Sequence, residues 1–368
     1  MEDREVLATV ALSLVPGVGS RRLRTLIATF GSAEATLAAP ESKLAATLGI
    51  GSATARAIKE TSIADGARAC TQVAQMGARV LLAGDPEFPD QLAEIPEPPV
   101  VLYFWGDMAL LRRPIVAMVG SRDHTEYGGE AARVLASAVA TRVVVVSGMA
   151  RGIDAIVHTA ALDAGGGSIG VLGNGFGVVY PQANRALYDR MVTHGLLVTE
   201  HPPFERPHQG SFSRRNRLIS GLARVVVVVE ARSDSGALVT ANCAGEQGRD
   251  VMAVPGGILS RTSAGCNKLI QQGAKLVMCA ADILEELGLA TGMREFGLAL
   301  STPAPRVPPL DLNGLQLTLW NRMTTEPQQV DALVAAAQTR PAEVLGALTE
   351  LELRGLVRQG PGMVFGLT

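Results

Sequence analysis

Two glycine turns in this chain could bind an anion. Gly120-Ser121-Arg122 and Ser147-Gly148-Met149-Ala150-Arg151-Gly152-Ile153-Asp154 each follow an apolar run and lead into a helical pattern. Such turns place backbone N–H groups at a helix N-terminus; an added hydroxyl and guanidinium favour phosphate. From Arg206 to Arg217 the chain has four arginines, His208 and no acid, centred on Phe212-Ser213-Arg214-Arg215-Asn216-Arg217. A guanidinium beside an aromatic ring suits phosphates with stacked, unpaired bases. Ser235-Gly236 supplies a further hydroxyl and turn before another helix. Only four of the 33 cations are lysines, so a single Arg is a weak signal. Several such loops at one sheet edge would form an extended polyphosphate path. For Arg215-Asn216-Arg217 a second reading, buried ion pairs with Glu200 and Glu230, stays open beside it.

Other chemistries fit poorly. No Gly-x-Gly-x-x-Gly joins a strand to a helix and no Walker pattern is present, which disfavours dinucleotide and P-loop cofactors. Ser147 with Asp154 and His158 lacks the Gly-x-Ser-x-Gly elbow of a hydrolase. Asp154 and His158, at i and i+4, read as a structural hydrogen-bonding pair, and Ser147 as a helix cap. The four cysteines form no Cys-x-x-Cys and the five histidines no His-x-x-x-His, so neither a metal nor a disulfide framework is expected. With 33 basic and 35 acidic residues, any cationic surface must be local. An acidic start without a basic-then-apolar leader, and no apolar run of spanning length, predict a cytoplasmic protein without a membrane span.

The elements that would carry these loops form three zones. Residues 81–290 alternate apolar strands (Ile115–Val119, Val143–Val146, Ser168–Leu172, Leu196–Val198, Val225–Val229, Val251–Val254) with helical stretches. That pattern predicts an α/β domain, a Rossmann-like parallel sheet covered on both faces, with ligands beyond the strands' carboxyl ends. Residues 1–80 read as short helices with two hydrophobic-Gly-hydrophobic-Gly turns, at Gly17/Gly19 and Gly49/Gly51. This is a helix-hairpin-helix (SAM-like) pattern with Arg21, Arg22 and Arg24 beside the first turn. It can contact phosphate or serve only as a packing module. A Pro-rich linker at 291–312 leads to residues 313–368, which read as three helices and a β-hairpin, a winged helix. Its third helix carries Glu343, Glu350 and Glu352, which suits a protein-contact or regulatory role better than entry into a DNA groove.

The ordered motifs Val119-Gly120-Ser121-Arg122, Ser147–Asp154, Tyr180-Pro181, Phe212–Ser220, Ser235–Ala241 and Val254-Pro255-Gly256 resemble the bacterial DNA-processing protein A family (DprA, also Smf). The resemblance implies an extended Rossmann-like domain that binds single-stranded DNA in natural transformation, with duplex DNA as a second substrate to test. It also implies a homodimer that loads the RecA recombinase onto strands coated by single-strand-binding protein, without catalysis or cofactor. Carried over, it places Gly120, Ser121, Arg122, Arg215, Asn216 and Arg217 in a cationic pocket. This chain departs from the family in having Ser213 where Pro is frequent and Gln182 where a basic residue commonly follows Tyr-Pro. A rival, a phosphoribohydrolase-like enzyme on a related core, requires Pro-Gly-Gly-x-Gly-Thr-x-x-Glu. The chain has Pro255-Gly256-Gly257-Ile258-Leu259-Ser260 instead. A third reading is a scaffold that binds no nucleic acid.

Overall fold

The structure, a computed structural model, describes residues 4–289, 312–323, 328–360 and 362–367. The apolar runs form strands, because a valine-rich segment between helical crossovers is fully buried only inside a parallel sheet. In chain order the strands are β1 (Arg79–Leu82), β2 (Val101–Gly106), β3 (Ile115–Val119), β4 (Val144–Ser147), β5 (Ser168–Val171), β6 (Leu196–Thr199), β7 (Val225–Val228), β8 (Asp250–Ala253) and β9 (Lys275–Leu276). They form one nine-stranded sheet in the order β1-β2-β6-β5-β4-β3-β7-β8-β9. From β6 to β9 all neighbours are parallel, whereas β2 joins β6, and β1 joins β2, antiparallel.

The strand order reverses at β3: the chain passes to β4 on one side and later returns to β7 on the other. Helices leaving opposite faces open a crevice at such a switch point, beyond the carboxyl ends of the strands. Alternating side chains of β3 enter two cores. Ile115, Ala117 and Val119 pack with Leu218, Ile219 and Leu222, while Val116 and Met118 pack with Leu135, Val139 and Ile153. Opposite faces of one strand thus anchor the helices that bring the candidate residues to the edge.

The N-terminal helices begin with Arg4–Ser13 and Ser20–Phe30 and end with Ser52–Glu60 and Ile63–Gln75. Gly17 and Gly49 both adopt φ +82°, a conformation open to glycine at no steric cost. Gly19 and Gly51 then precede the helices as caps. Val10, Leu12, Leu23 and Leu26 share one core with Tyr103, Met149 and Leu197 of the sheet region. The helical segment and the sheet accordingly form one compact unit, Met1–Glu295. No described helix is long and apolar enough to cross a membrane.

The second unit is Phe296–Thr368. The linker expected at 291–312 lies outside the described residues except for Leu312. Helices Gly314–Arg322, Val330–Ala337 and Pro341–Leu353 pack around Leu319, Leu333, Val344, Leu348 and Phe365. Three strands join them: β10 (Gln328–Gln329), β11 (Val357–Gly360) and β12 (Val364–Leu367), paired antiparallel as β10-β12-β11. This is the winged-helix arrangement, and beyond the expected hairpin Gln328 and Gln329 pair with Phe365 and Val364 just before the second helix. Two acids of the third helix have internal roles. Glu350 accepts from Gln316 Nε2 at 2.5 Å, and Glu352 from the Gln359 amide at 3.1 Å.

Candidate nucleic-acid interface

The turn after β4 is an anion-binding nest that the protein fills itself. Met149 takes φ +55° and Gly152 φ +80°, and the amides of Gly148, Met149 and Ala150 point inward. Asp154 Oδ2 accepts from Gly148 N at 3.1 Å and Ala150 N at 3.4 Å, while His158 Nε2 accepts from Met149 N at 3.3 Å. His158 Nδ1 donates to Ser168 Oγ at 2.7 Å, because that hydroxyl already donates to Val145 O. Asp154 and His158 are therefore structural, as expected, but they bond the turn and not each other. Ser147 is buried and does not cap the next helix, whose first residue, Ile153, follows Gly152. Ser147 and the Gly148 amide, expected to face a phosphate, are turned inward in this structure: Ser147 is buried, and the amide donates to the Asp154 carboxylate.

Burial of His158, with the Arg215 charge adding to it, pushes its imidazole down to about 3 from an ordinary 6.5. Below pH 6.5 the unfolded chain takes up a proton that the folded chain refuses until near pH 3. Folding stability should therefore fall with pH across that window, by up to about 1.4 kcal/mol per unit. Urea unfolding at pH 6 and pH 5 should show this dependence, and His158→Gln should remove it. Equal slopes in the two proteins would contradict the assignment.

The turn after β3 is held against the same structure. Ser121 N donates to Glu230 O at 2.7 Å, and Ile153 N to Ser121 O at 3.1 Å. The Ser121 hydroxyl is buried and bonded to the backbone of Asp123, so it too is turned inward. A side chain on Gly120 would strike Ile153, and one on Gly152 would strike the carbonyls of Ser121 and Arg122. These glycines bring the two turns into contact. Arg122 itself is exposed, and Arg151, also exposed, pairs with Asp123 at 2.7 Å, an interaction that solvent weakens.

Helix Ser211–Leu222 divides its arginines by face. Arg215 lies on the same stripe as Leu218, Ile219 and Leu222 and is only 5% exposed. Its guanidinium donates to Gly148 O at 2.7 Å and to Val171 O, bridging the ends of β4 and β5. Burial pushes it down to about 10 despite nearby Asp154; burial likewise pushes the Asp154 carboxyl up, against the pull of Arg215. Gly148 fits between them, for a Cβ there would lie 2.5 Å from Arg215 Nη2 and 2.7 Å from Asp154 Oδ2. Arg217 Nη2 donates to both oxygens of Glu200, at 2.7 and 2.8 Å, and Ser20 of the first hairpin donates to the same carboxylate at 2.8 Å. Glu230 instead accepts from the amide and hydroxyl of Thr125 at 2.8 and 2.7 Å. The buried-pair reading thus describes Arg217 with Glu200 but not Glu230. In this arrangement Arg215 and Arg217 position the loops and do not offer open charges.

On the solvent side the structure gathers Arg122, Phe212 and Tyr180. The Arg122 guanidinium lies over the Phe212 ring, 5.7 Å from its centroid, and the Tyr180 ring lies 5.3 Å from Phe212 at a 30° tilt. Tyr180 is 49% exposed. Gly173, at the end of β5, leaves room for the Phe212 ring; a Cβ there would lie 2.8 Å from it. Arg214 is exposed one residue before Arg215. Asn216 Nδ2 reaches Gly236 O at 3.3 Å, tying in the turn after β7, where Ser235 caps the next helix through the Ala237 amide. Arg214 also borders a cleft of about 760 Å³, which runs between this edge and the first hairpin and includes Arg21 and Arg22.

The model of the DNA recombination-mediator protein A family matches residues 79–288, the span of the nine-stranded sheet. The chain belongs to this family. The DprA winged helix domain matches residues 303–363. Protein Smf of Synechocystis is 35% identical over 318 residues, covering 78% of this chain and 80% of the relative. The solved DNA processing protein A of Streptococcus pneumoniae superposes with a TM-score of 0.67 at 34% identity, covering 77% of this chain and 98% of that one. That of Helicobacter pylori, described for its single-stranded DNA binding mode, gives 0.52 at 29%, covering 57% and 95%.

Within this family member, two residues outside the expected site set shape the edge. Tyr180 extends the aromatic surface, and Asn184 Nδ2 holds the carbonyls of Met149 and Ala150 at 2.9 and 3.1 Å. Tyr180 carried a signal, an aromatic residue in a Gly-rich strand-end loop. Asn184 carried none, since its partners lie more than thirty residues away.

Proposed function

We propose that this chain binds single-stranded DNA along the carboxyl edge of the sheet, with bases on Phe212 and Tyr180 and phosphates on Arg122, Arg151 and Arg214. The observation carrying this reading is the cluster at the strands' carboxyl edge of the exposed Arg122 guanidinium and Tyr180 ring about the half-buried Phe212 ring. Aromatic faces accept any unpaired base, and guanidinium groups follow the backbone. The mechanism contains no bond-making step. Membership in the recombination-mediator family, together with the single-strand binding of the Helicobacter relative, supports extending it further. As a cytoplasmic homodimer, the protein would take strands coated by single-strand-binding protein and load RecA onto them. Two linked sites on one strand would multiply avidity. Ser121, Ser147, Gly148, Arg215 and Arg217 then act by shaping the edge. Fluorescence anisotropy with a labelled oligonucleotide, competed by unlabelled single strand or duplex, tests the reading. Salt-sensitive binding better competed by single strand is expected; a folded protein giving no shift would overturn it.

A further inference from the structure

The loop between β6 and helix Ser211–Leu222 carries a side-chain cluster that the DNA reading does not use. His201, Glu205 and His208 each bring one ligand atom to a common point, all within 4.8 Å of one another. His201 Nδ1 lies 2.7 Å from Glu205 Oε1, and His208 Nε2 lies 3.6 Å from that same oxygen. We propose that His201, Glu205 and His208 form a three-ligand Zn²⁺ site whose open fourth position faces the cleft beside Arg214.

The orientation of His208 argues for a cation there. Its Nδ1 lies 3.0 Å from Gln209 O, and a carbonyl oxygen can only accept, so Nδ1 is the donor. In the neutral ring that leaves Nε2 with a lone pair aimed at a carboxylate oxygen, two electron-rich atoms facing each other across 3.6 Å. A cation shared between them, either a proton on Nε2 or a metal ion, relieves that opposition. A ligand imidazole whose other nitrogen donates to a backbone carbonyl is the usual outer arrangement at metal-bound histidines.

The loop is also built to keep its shape. His201 N donates to Thr199 Oγ1 at 3.0 Å, Phe204 N to Phe176 O at 2.8 Å, and Gly175 N to Glu205 O at 2.9 Å. Phe204 holds φ +64° between the first two ligands. Zn²⁺ bound at about 2.0–2.2 Å by nitrogen and oxygen needs ligands about 3.3 Å apart, and the spacings of 2.7 and 3.6 Å bracket that value. Two imidazoles and one carboxylate favour zinc over magnesium or calcium, which prefer all-oxygen shells. All three ligands line the cleft, so the remaining position takes water or an anionic oxygen. A search for paired histidines misses the cluster because its middle ligand is a carboxylate.

The site does not depend on the DNA reading and is tested without nucleic acid. Metal-stripped full-length protein is titrated with Zn²⁺ by calorimetry and with Co²⁺ by visible absorption. The expected result is one ion per chain, with a Co²⁺ spectrum lacking thiolate charge-transfer bands. Glu205→Gln and His208→Ala should each weaken Zn²⁺ binding at least tenfold while keeping the far-ultraviolet circular dichroism of the parent. Absence of stoichiometric binding, unchanged affinity in both folded variants, or a thiolate-type Co²⁺ spectrum would overturn the proposal.

Discussion

Arg215→Ala is expected to lower folding stability by about 1–3 kcal/mol for each buried carbonyl it leaves without a donor. The guanidinium holds two carbonyls at the ends of β4 and β5 and faces Asp154 across Gly148. Its removal leaves those carbonyls without their donor and the Asp154 carboxyl without the charge that opposes its burial penalty. Urea unfolding should show a midpoint shift with little change in slope. Any loss of DNA binding by this variant would then follow from collapse of the edge. If Arg215→Ala retained full stability yet lost DNA, Arg215 would be a contact residue and the positioning role would be wrong.

Phe212→Ala should have the largest effect on binding. Loss of one stacked base costs about 1–3 kcal/mol, or roughly 5- to 150-fold in affinity for a single strand. The ring also supports Arg122 through a cation–π interaction of about 0.5–1 kcal/mol at an exposed site, and the substitution would abolish it. Because Phe212 carries no charge, the salt dependence should change little while affinity drops, and duplex binding should be less affected. A Phe212→Trp variant should restore most of the loss. Unchanged single-strand affinity in a folded Phe212→Ala protein, measured by anisotropy, would rule out stacking on this ring.

The sheet was legible because its strands are nearly all apolar. Val225–Val228 can be buried on both faces only in a covered parallel sheet, and the turns then fall at the carboxyl edge. Positions of the loops followed from this; directions of their side chains did not. The sequence presents Arg214, Arg215 and Arg217 as one cationic run, whereas the helix turns Arg215 inward. Its spacing with Leu218, Ile219 and Leu222, i, i+3, i+4 and i+7, carries that information, but residue type competes with periodicity when the residue is Arg. The nest after β4 was harder to read. Whether its amides face an outside anion or Asp154 depends on how the next helix folds back, and both readings need the same glycines. The pairing of Gln328–Gln329 with β12 depends on a partner more than thirty residues away, which local helical pattern cannot register.

The most direct test of the central claim, that guanidinium and aromatic groups at the strands' carboxyl edge hold a single strand, is a salt titration of oligonucleotide affinity for the parent protein and Arg122→Ala. Every phosphate of a single strand that the protein no longer neutralises reduces the slope of log affinity against log salt by about 0.7. Weaker binding and a slope shallower by about that amount are expected for Arg122→Ala, with folding unchanged. Identical affinity and slope in the two proteins would contradict the claim.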